Sequence, residues 1–185
     1  MLYTRKGDAG TTKDFNSKPG ERKSKSSCQT ESLGALDELG AFLGLAKLKS
    51  VEVSWTVDGV KLADIVAWTQ DSMFTVQAEV AGADKRVGQD KVVKMENWID
   101  WIEKELPPIK TFFISGGTEL AALFDVSRTL ARKAERRVVA GTEAGEFVLD
   151  SATLAFLNRL SSLFYTLARL TNHKSGITEQ PPSYK

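Results

Sequence analysis

Apolar residues recur at spacings of three and four along most of the chain, the period at which one face of an α-helix meets a core. The first such stretch spans 31–48, where Leu33, Leu36, Leu39, Phe42, Leu43 and Ala46 share a face. The second spans 59–81 through Leu62, Ile65, Val66, Thr69, Met73, Val76 and Val80. The third, 90–106, runs through Val92, Met95, Ile99, Ile102 and Leu106. Pro107-Pro108 ends it, because proline lacks the backbone donor and pushes its predecessor out of the helical region. A fourth helix begins after Gly116-Gly117 and runs to about Ala140, with Leu120, Leu123, Phe124, Leu130, Ala131, Ala134 and Val138 inward. A fifth covers about 150–173, capped by Asp150 or Ser151, with Leu154, Leu157, Leu160, Phe164, Leu167 and Ala168 on its core face.

Two segments have strand character. Val51–Val57 alternates and Thr111–Ile114 is short and β-branched or aromatic, but neither has a partner, so both read as extended connectors. There is no βαβ alternation, no internal repeat and no linker. The pattern predicts an all-α, five-helix bundle in one domain over 1–185, with a loop at 1–30, the bundle at 31–173 and a tail at 174–185.

Composition narrows the chemistry. The 185 residues are 42% hydrophobic and 26% charged, enough for one sizeable core. A net charge of +1 argues against a protein that coats nucleic acid, and no nucleic-acid partner is expected. Residues 1–26 nevertheless carry seven basic side chains against three acidic ones, an excess suited to an anionic ligand or to a solvated tail. Cys28 is the only cysteine and His173 the only histidine. A disulfide and a cysteine zinc cluster are thereby excluded, and a Ser-His-Asp triad would have to use His173, which reads as an exposed helix-end residue. The first five residues form no apolar signal region and no run approaches membrane-spanning length, so a cytoplasmic protein without a membrane partner is expected.

Three constellations carry candidate chemistry. YTRKGDAGTT, residues 3–12, gathers glycines, hydroxyls and cations of the kind that approach phosphate oxygens, although it is not a Walker A loop. Arg128, Arg132 and Glu135 lie at i, i+4 and i+7 on helix four, with Asp125 close to the same face, while Lys133, Arg136 and Arg137 point largely elsewhere. Stacked arginines repel unless an anion sits between them, and the competing reading is a surface ion network with Asp125 and Glu135. On helix five, Asn158, Ser162, Tyr165 and Arg169 form a polar stripe that could equally be a solvated face.

In one order the chain carries YTRKGDAGTT, SLGALDELGAFLGLA at 32–46, FFISGGTELAALFDVSRTLARKAERRV at 112–138 and FLNRLSSLFYTLAR at 156–169. It thus resembles the PduO-type ATP:cob(I)alamin adenosyltransferases over nearly its whole length, including the WIDWIEKELPPIKTFF approach to the double glycine. The resemblance implies a homotrimer of five-helix bundles with active sites between subunits, using ATP, Mg²⁺ and a corrinoid such as cobalamin. It assigns ATP wrapping to Thr4, Arg5, Lys6, Gly7, Asp8, Gly10, Thr11 and Thr12, and adds Lys25. Arg128, Arg132, Glu135 and Asn158 match the helix residues that hold the nucleotide. Asp37 matches an aspartate that pairs across the interface with the Arg128 position, and Phe112 an aromatic pressed on the corrinoid's lower face. No dedicated metal site is implied: Mg²⁺ would ride on the ATP phosphates, with Glu135 as the protein carboxylate that could approach it. An adenosylcobalamin-dependent enzyme is the implied recipient of the product.

The chain also departs from the family pattern. Ser115 stands where proline is usual, Asp125 where histidine is common, Lys133 where a second arginine is common, and Ser162 where a carboxylate follows Leu-Ser. The implied reaction needs no histidine base or cysteine nucleophile, because cobalt(I) is itself the nucleophile. The alternative reading is an ATP-binding corrinoid carrier or nucleotide sensor of the same fold that has lost adenosyl transfer.

Overall fold

Each of the five apolar periods folds as a helix: α1 Cys28–Ser50, α2 Leu62–Val80, α3 Gln89–Glu105, α4 Glu119–Glu143 and α5 Ser151–Lys174. The computed structural model describes residues 3–15 and 17–184. Met1, Leu2 and Asn16 of the expected loop and Lys185 of the expected tail lie outside the described residues. The predicted stripes face inward. Leu36, Leu39, Leu43, Ile65, Val66, Met73, Met95, Ile102, Phe124, Leu157 and Phe164 are buried in one continuous core. Each such side chain contributes about 1.5–3 kcal/mol on leaving water.

Side-chain contacts between helices define their directions. Gln29 meets Val80 while Gln70 meets Gly40, so α1 and α2 are antiparallel. Ser32 meets Arg137 and Lys133 meets Glu38, so α1 and α4 are antiparallel as well. Asn158 meets Glu135 and Asn172 meets Thr118, which sets α5 antiparallel to α4. α3 runs parallel to α5, with Glu96 on Arg159 and Glu105 on Lys174. The bundle therefore alternates up and down along the sequence, and α4 packs between α1 and α5. Glu79, buried at the end of α2, accepts from the Asp150 amide at 2.7 Å and from the Thr153 hydroxyl, tying that helix to the start of α5.

Three details differ from the expectations. α1 starts at Cys28, because the Ser27 side chain accepts from the Thr30 amide and the Glu146 carboxylate from the Cys28 and Gln29 amides at 3.1 and 2.8 Å. This first turn is polar and carries no apolar period. Val51–Val57 is not wholly a connector: β3 Thr56–Val57 pairs with β4 Val60–Lys61 across Asp58 and Gly59, both with positive φ, so α2 begins at Leu62 and not at 59. The N-terminal loop contains a second antiparallel pair, β1 Thr11–Thr12 with β2 Lys23–Ser24.

An aromatic cluster closes the α2–α3 side. The Trp68 and Trp98 rings meet edge to face at 5.0 Å, Phe156 lies 6.0 Å from Trp68, and the Lys94 ammonium stands 5.2 and 5.1 Å from the two indoles. Among the described residues no helix is long and apolar enough to cross a membrane.

Candidate functional site

The connection from α3 to α4 builds one groove. Pro107-Pro108 stops α3, and residues 109–117 then run without regular secondary structure to the Thr118 cap, whose side chain accepts from the Ala121 amide. Gly116 and Gly117 have φ of 113° and 109°, a region open to glycine and strained for other residues. Asn172 of α5 donates to the Gly116 carbonyl at 2.7 Å and accepts from the Thr118 amide at 3.1 Å. A Cβ on Gly117 would lie 2.3 Å from the Asn172 Oδ1, so contact as well as conformation requires glycine there. From α4, Asp125 accepts the Gly116 amide at 2.9 Å.

Buried Arg169 holds the other end of the segment. It donates to the Pro107 carbonyl at 3.1 Å and to Glu179 at 2.9 Å, and its guanidinium lies 5.3 Å from the centre of the Phe113 ring. The chain returns after α5, where the Gln180 carbonyl accepts from the Ile114 amide at 2.8 Å. Phe113 is thereby half-buried, whereas Phe112 is 78% exposed. The two rings of this pair do face different surroundings.

Phe112 opens into a groove of about 700 Å³, whose walls include Arg128, Arg132, Ser162 and Tyr165. Among the described residues Arg128 Nε is buried without a hydrogen-bond partner, and Asp125 stands 3.7 Å away, too far to bond. Arg132 is exposed. Two guanidiniums thus face one groove with one carboxylate between them and the hinge, an arrangement that attracts an anion. Burial pushes the Tyr165 hydroxyl above its ordinary range, so it enters the groove as a neutral donor near pH 7. Farther along α4, Glu135 accepts from Asn158 at 2.8 Å, and Asn158 accepts in turn from Arg159 at 2.7 Å. Among the described residues no group of three or more His, Cys, Asp or Glu is placed to hold a metal.

The N-terminal loop builds a second groove. Arg22 holds the Thr11 hydroxyl and carbonyl, each at 2.7 Å, and Lys23 pairs with Asp14. The Lys25 amide donates to the Gly10 carbonyl at 2.9 Å, and Gly7 sits so close that a Cβ would lie 3.1 Å from the Lys25 ammonium. Thr12 and Lys25 line a groove of about 470 Å³ against α1 and α4, with Lys133 and Arg137 opposite. Lys133 pairs there with Glu38, and Arg137 lies 3.7 Å from Glu31. Thr4, Arg5, Lys6, Asp8 and Gly10 are exposed around a turn in which Arg5 has φ 57°.

Of the predicted residues, Phe112, Arg128 and Arg132 come together, and Thr12 and Lys25 come together. The two sets do not meet in one chain. At 100° per residue, Lys133 and Arg137 point about 140–180° from Arg128 around α4, so the grooves lie on opposite flanks of that helix. Asp37 is exposed on α1 and makes no hydrogen bond or ion pair among the described residues. Arg128 meets no Asp37 within the chain; Asp125 is the carboxylate nearest to it in this subunit. The residues that shape the Phe112 segment, Asn172, Arg169 and Glu179, were not singled out for that role. For Asn172 and Arg169 the only signal is polarity late in an otherwise apolar helix, where Arg169 belongs to the polar stripe with Asn158, Ser162 and Tyr165; Glu179 lies beyond that helix and carries no signal.

These features, a five-helix bundle with an aromatic segment over an arginine-lined groove, occur with a match to the cobalamin adenosyltransferase family model across residues 2–171, and the chain belongs to that family. It is similar to the corrinoid adenosyltransferase of Bacillus subtilis, 36% identical over 180 residues that cover 95% of this chain and 89% of that protein. It is 32% identical over 185 residues to the human corrinoid adenosyltransferase MMAB, covering 97% of this chain and 72% of that one. Among solved structures, a variant PduO-type ATP:corrinoid adenosyltransferase from Lactobacillus reuteri, complexed with cobalamin and ATP, superposes with a TM-score of 0.84 at 26% identity, covering 100% of this chain and 97% of that one.

Proposed function

We propose that this chain binds ATP and a reduced corrinoid and transfers the 5′-deoxyadenosyl group to cobalt, as a cytoplasmic homotrimer with sites between subunits. The observation that carries the reading is the groove in which exposed Phe112 faces Arg128 and Arg132. In the reaction, the cobalt(I) electron pair forms a bond to C5′ of ATP while the C5′–O5′ bond breaks and triphosphate leaves. The protein must bring C5′ to cobalt and stabilise charge on the leaving group. The outer guanidinium nitrogens of Arg128 and those of exposed Arg132 make no hydrogen bond among the described residues and can donate to phosphate oxygens. Glu135 and Asn158, already bonded to each other, continue that face toward the rest of the nucleotide. Phe112 offers a phenyl face, with no coordinating atom, to the lower side of the corrinoid, which raises the cobalt potential by removing an axial donor.

Two observations support the trimer. The loop residues from Thr4 to Thr12, with Lys25, occupy a different flank of the bundle from the arginine groove, so one ATP reaches both only if they come from different subunits. Asp37, a carboxylate without a partner among the described residues of its own chain, is then available to the neighbour's Arg128. Mg²⁺ would be held mainly by the triphosphate, with Glu135 as the protein carboxylate on the nucleotide face; it would neutralise phosphate charge. An adenosylcobalamin-dependent enzyme would take the product.

The test is anaerobic mixing of the chain with cob(I)alamin, ATP and Mg²⁺, read by the absorbance of adenosylcobalamin and by triphosphate release. Binding of both substrates without either product would favour the carrier or sensor reading. Exposed Ser162, in the groove at the position where the family commonly has a carboxylate, is the observation behind that second reading.

A further inference from the structure

Asp125 divides its two carboxylate oxygens between two parts of the groove. Oδ2 accepts the Gly116 amide at 2.9 Å, and Oδ1 lies 3.7 Å from Arg128 Nε. Its side chain is 13% exposed, so water competes little for either oxygen. Gly116 has nothing within 4 Å of where a Cβ would stand, and its φ of 113° is one that glycine leaves easily. No packing contact on the Cβ side holds this residue. Two polar contacts hold its backbone, the Asp125 oxygen on the amide of the 115–116 peptide and the Asn172 amide on the carbonyl of the 116–117 peptide. Phe112 is four residues upstream, with its ring in the groove and exposed; the hinge holds one end of the segment that carries it, and the Ile114 amide on the Gln180 carbonyl holds the middle.

Within the subunit the Arg128 side is equally unfinished. Its Nε is buried without a bond among the described residues, and a shift of under an ångström would bring it within hydrogen-bond range of Oδ1. An anion drawing on the guanidinium's outer nitrogens can supply that shift. The same carboxylate would then be held by the arginine while holding the hinge.

We propose that Asp125 is a positioning residue that couples the arginine pair to the aromatic segment, so that occupancy at Arg128 fixes Gly116 and with it the placement of Phe112. This rests on the adenosyl-transfer reading above. The charge on Arg128 still binds the anion without Asp125, whereas the aromatic ring loses its fixed place.

The experiment uses full-length Asp125→Ala and Asp125→Asn trimers beside the wild type. Three quantities are read on each preparation: ATP affinity, exchange of the Gly116 amide by NMR with and without ATP, and adenosylation rates from cob(II)alamin with a weak reductant and from pre-reduced cob(I)alamin. In the wild type, ATP should slow Gly116 exchange. In Asp125→Ala, Gly116 should exchange about tenfold faster, the factor that one ordinary hydrogen bond supplies, and ATP should no longer slow it. The rate from cob(II) should fall about tenfold more than the rate from cob(I), with ATP affinity nearly unchanged. Asp125→Asn keeps an oxygen that can accept from Gly116, and it should restore both Gly116 protection and the ratio of the two rates. Equal falls from the two oxidation states would overturn the coupling while leaving the proposed reaction intact. An Asn variant as poor as Ala would overturn it too, because charge and not the hinge bond would then carry the effect. A wild type that makes no adenosylcobalamin would overturn both readings.

Discussion

Arg132 and Lys133 are adjacent in sequence and stand in different grooves, Arg132 with Phe112 and Lys133 with Lys25. The step of 100° per residue puts consecutive side chains of a helix on different flanks. α4 therefore carries basic side chains into a groove on each side, packed against α5 on one, with Arg128 and Arg132, and α1 on the other, where Lys133 and Arg137 meet Glu38 and Glu31.

Arg132→Ala should weaken ATP binding by about 1.5–3 kcal/mol, the worth of hydrogen bonds to charged groups. Arg132 is exposed and has no ion pair or hydrogen bond among the described residues, so the fold should be unaffected. Isothermal titration on protein with unchanged circular dichroism makes the measurement. An unaltered dissociation constant would remove α4 from the nucleotide site.

Subunit sharing can be tested by mixing. Lys25→Ala damages the loop half and Arg132→Ala the helix half, so each alone should be nearly inactive. In mixed trimers about a quarter of the interfaces join an intact loop to an intact helix, and about that share of wild-type activity should return. Asp37→Ala should weaken trimer assembly in sedimentation velocity, since it removes the proposed partner of Arg128 across the interface. Failure of the mixture to recover would put both halves of the site in one subunit.

Phe112→Ala should leave ATP affinity and melting temperature nearly unchanged. The ring is 78% exposed, and an exposed side chain contributes little to stability, within about 0.5 kcal/mol. Adenosylation from cob(II)alamin should slow far more than adenosylation from pre-reduced cob(I)alamin, because only the former depends on excluding the lower ligand. Equal losses from the two would reduce Phe112 to packing.

The helices were legible because period and burial coincide: Met95, Ile99 and Ile102 are buried where spacing put them. Elements held by polar contacts were not. The first turn of α1 is made by Ser27 and Glu146, residues 119 positions apart in sequence, and carries no stripe to read. The β3–β4 turn escapes the reading because the helical stretch is taken to open at 59, where the structure has the second residue of the turn. In the candidate site, the Arg128–Arg132 pair was visible because i and i+4 share a face, whereas Asn172 and Arg169 act across the bundle on a loop 56 and 62 residues earlier. Spacing along one helix contains no information about such a partner.

Acid should loosen the N-terminal hairpin before it unfolds the bundle. A hydrogen bond from Lys23, with a second from Ser17, holds the Asp14 carboxyl below its ordinary range. Because the folded-state value is depressed, this stabilisation is complete above the unfolded value of about 3.9 and is lost as pH falls through the lower folded value. The Asp14 carboxyl, followed by NMR, should titrate below that point, and Lys23→Ala should move it upward. A titration unchanged by Lys23→Ala would detach Lys23 from the hairpin's acid response.

The Trp68–Trp98 pair gives the chain an optical property of practical use. Neither of these indoles, nor Trp55 or Trp101, lines either groove. Trp68 belongs to α2 and Trp98 to α3, so their emission reports whether those two helices remain in register. The fluorophores thus sit apart from the substrate surfaces, in a part of the bundle that no proposed catalytic motion crosses. A urea melt followed at the tryptophan band measures the scaffold by itself, and a site variant that leaves this curve in place has changed chemistry without changing the fold.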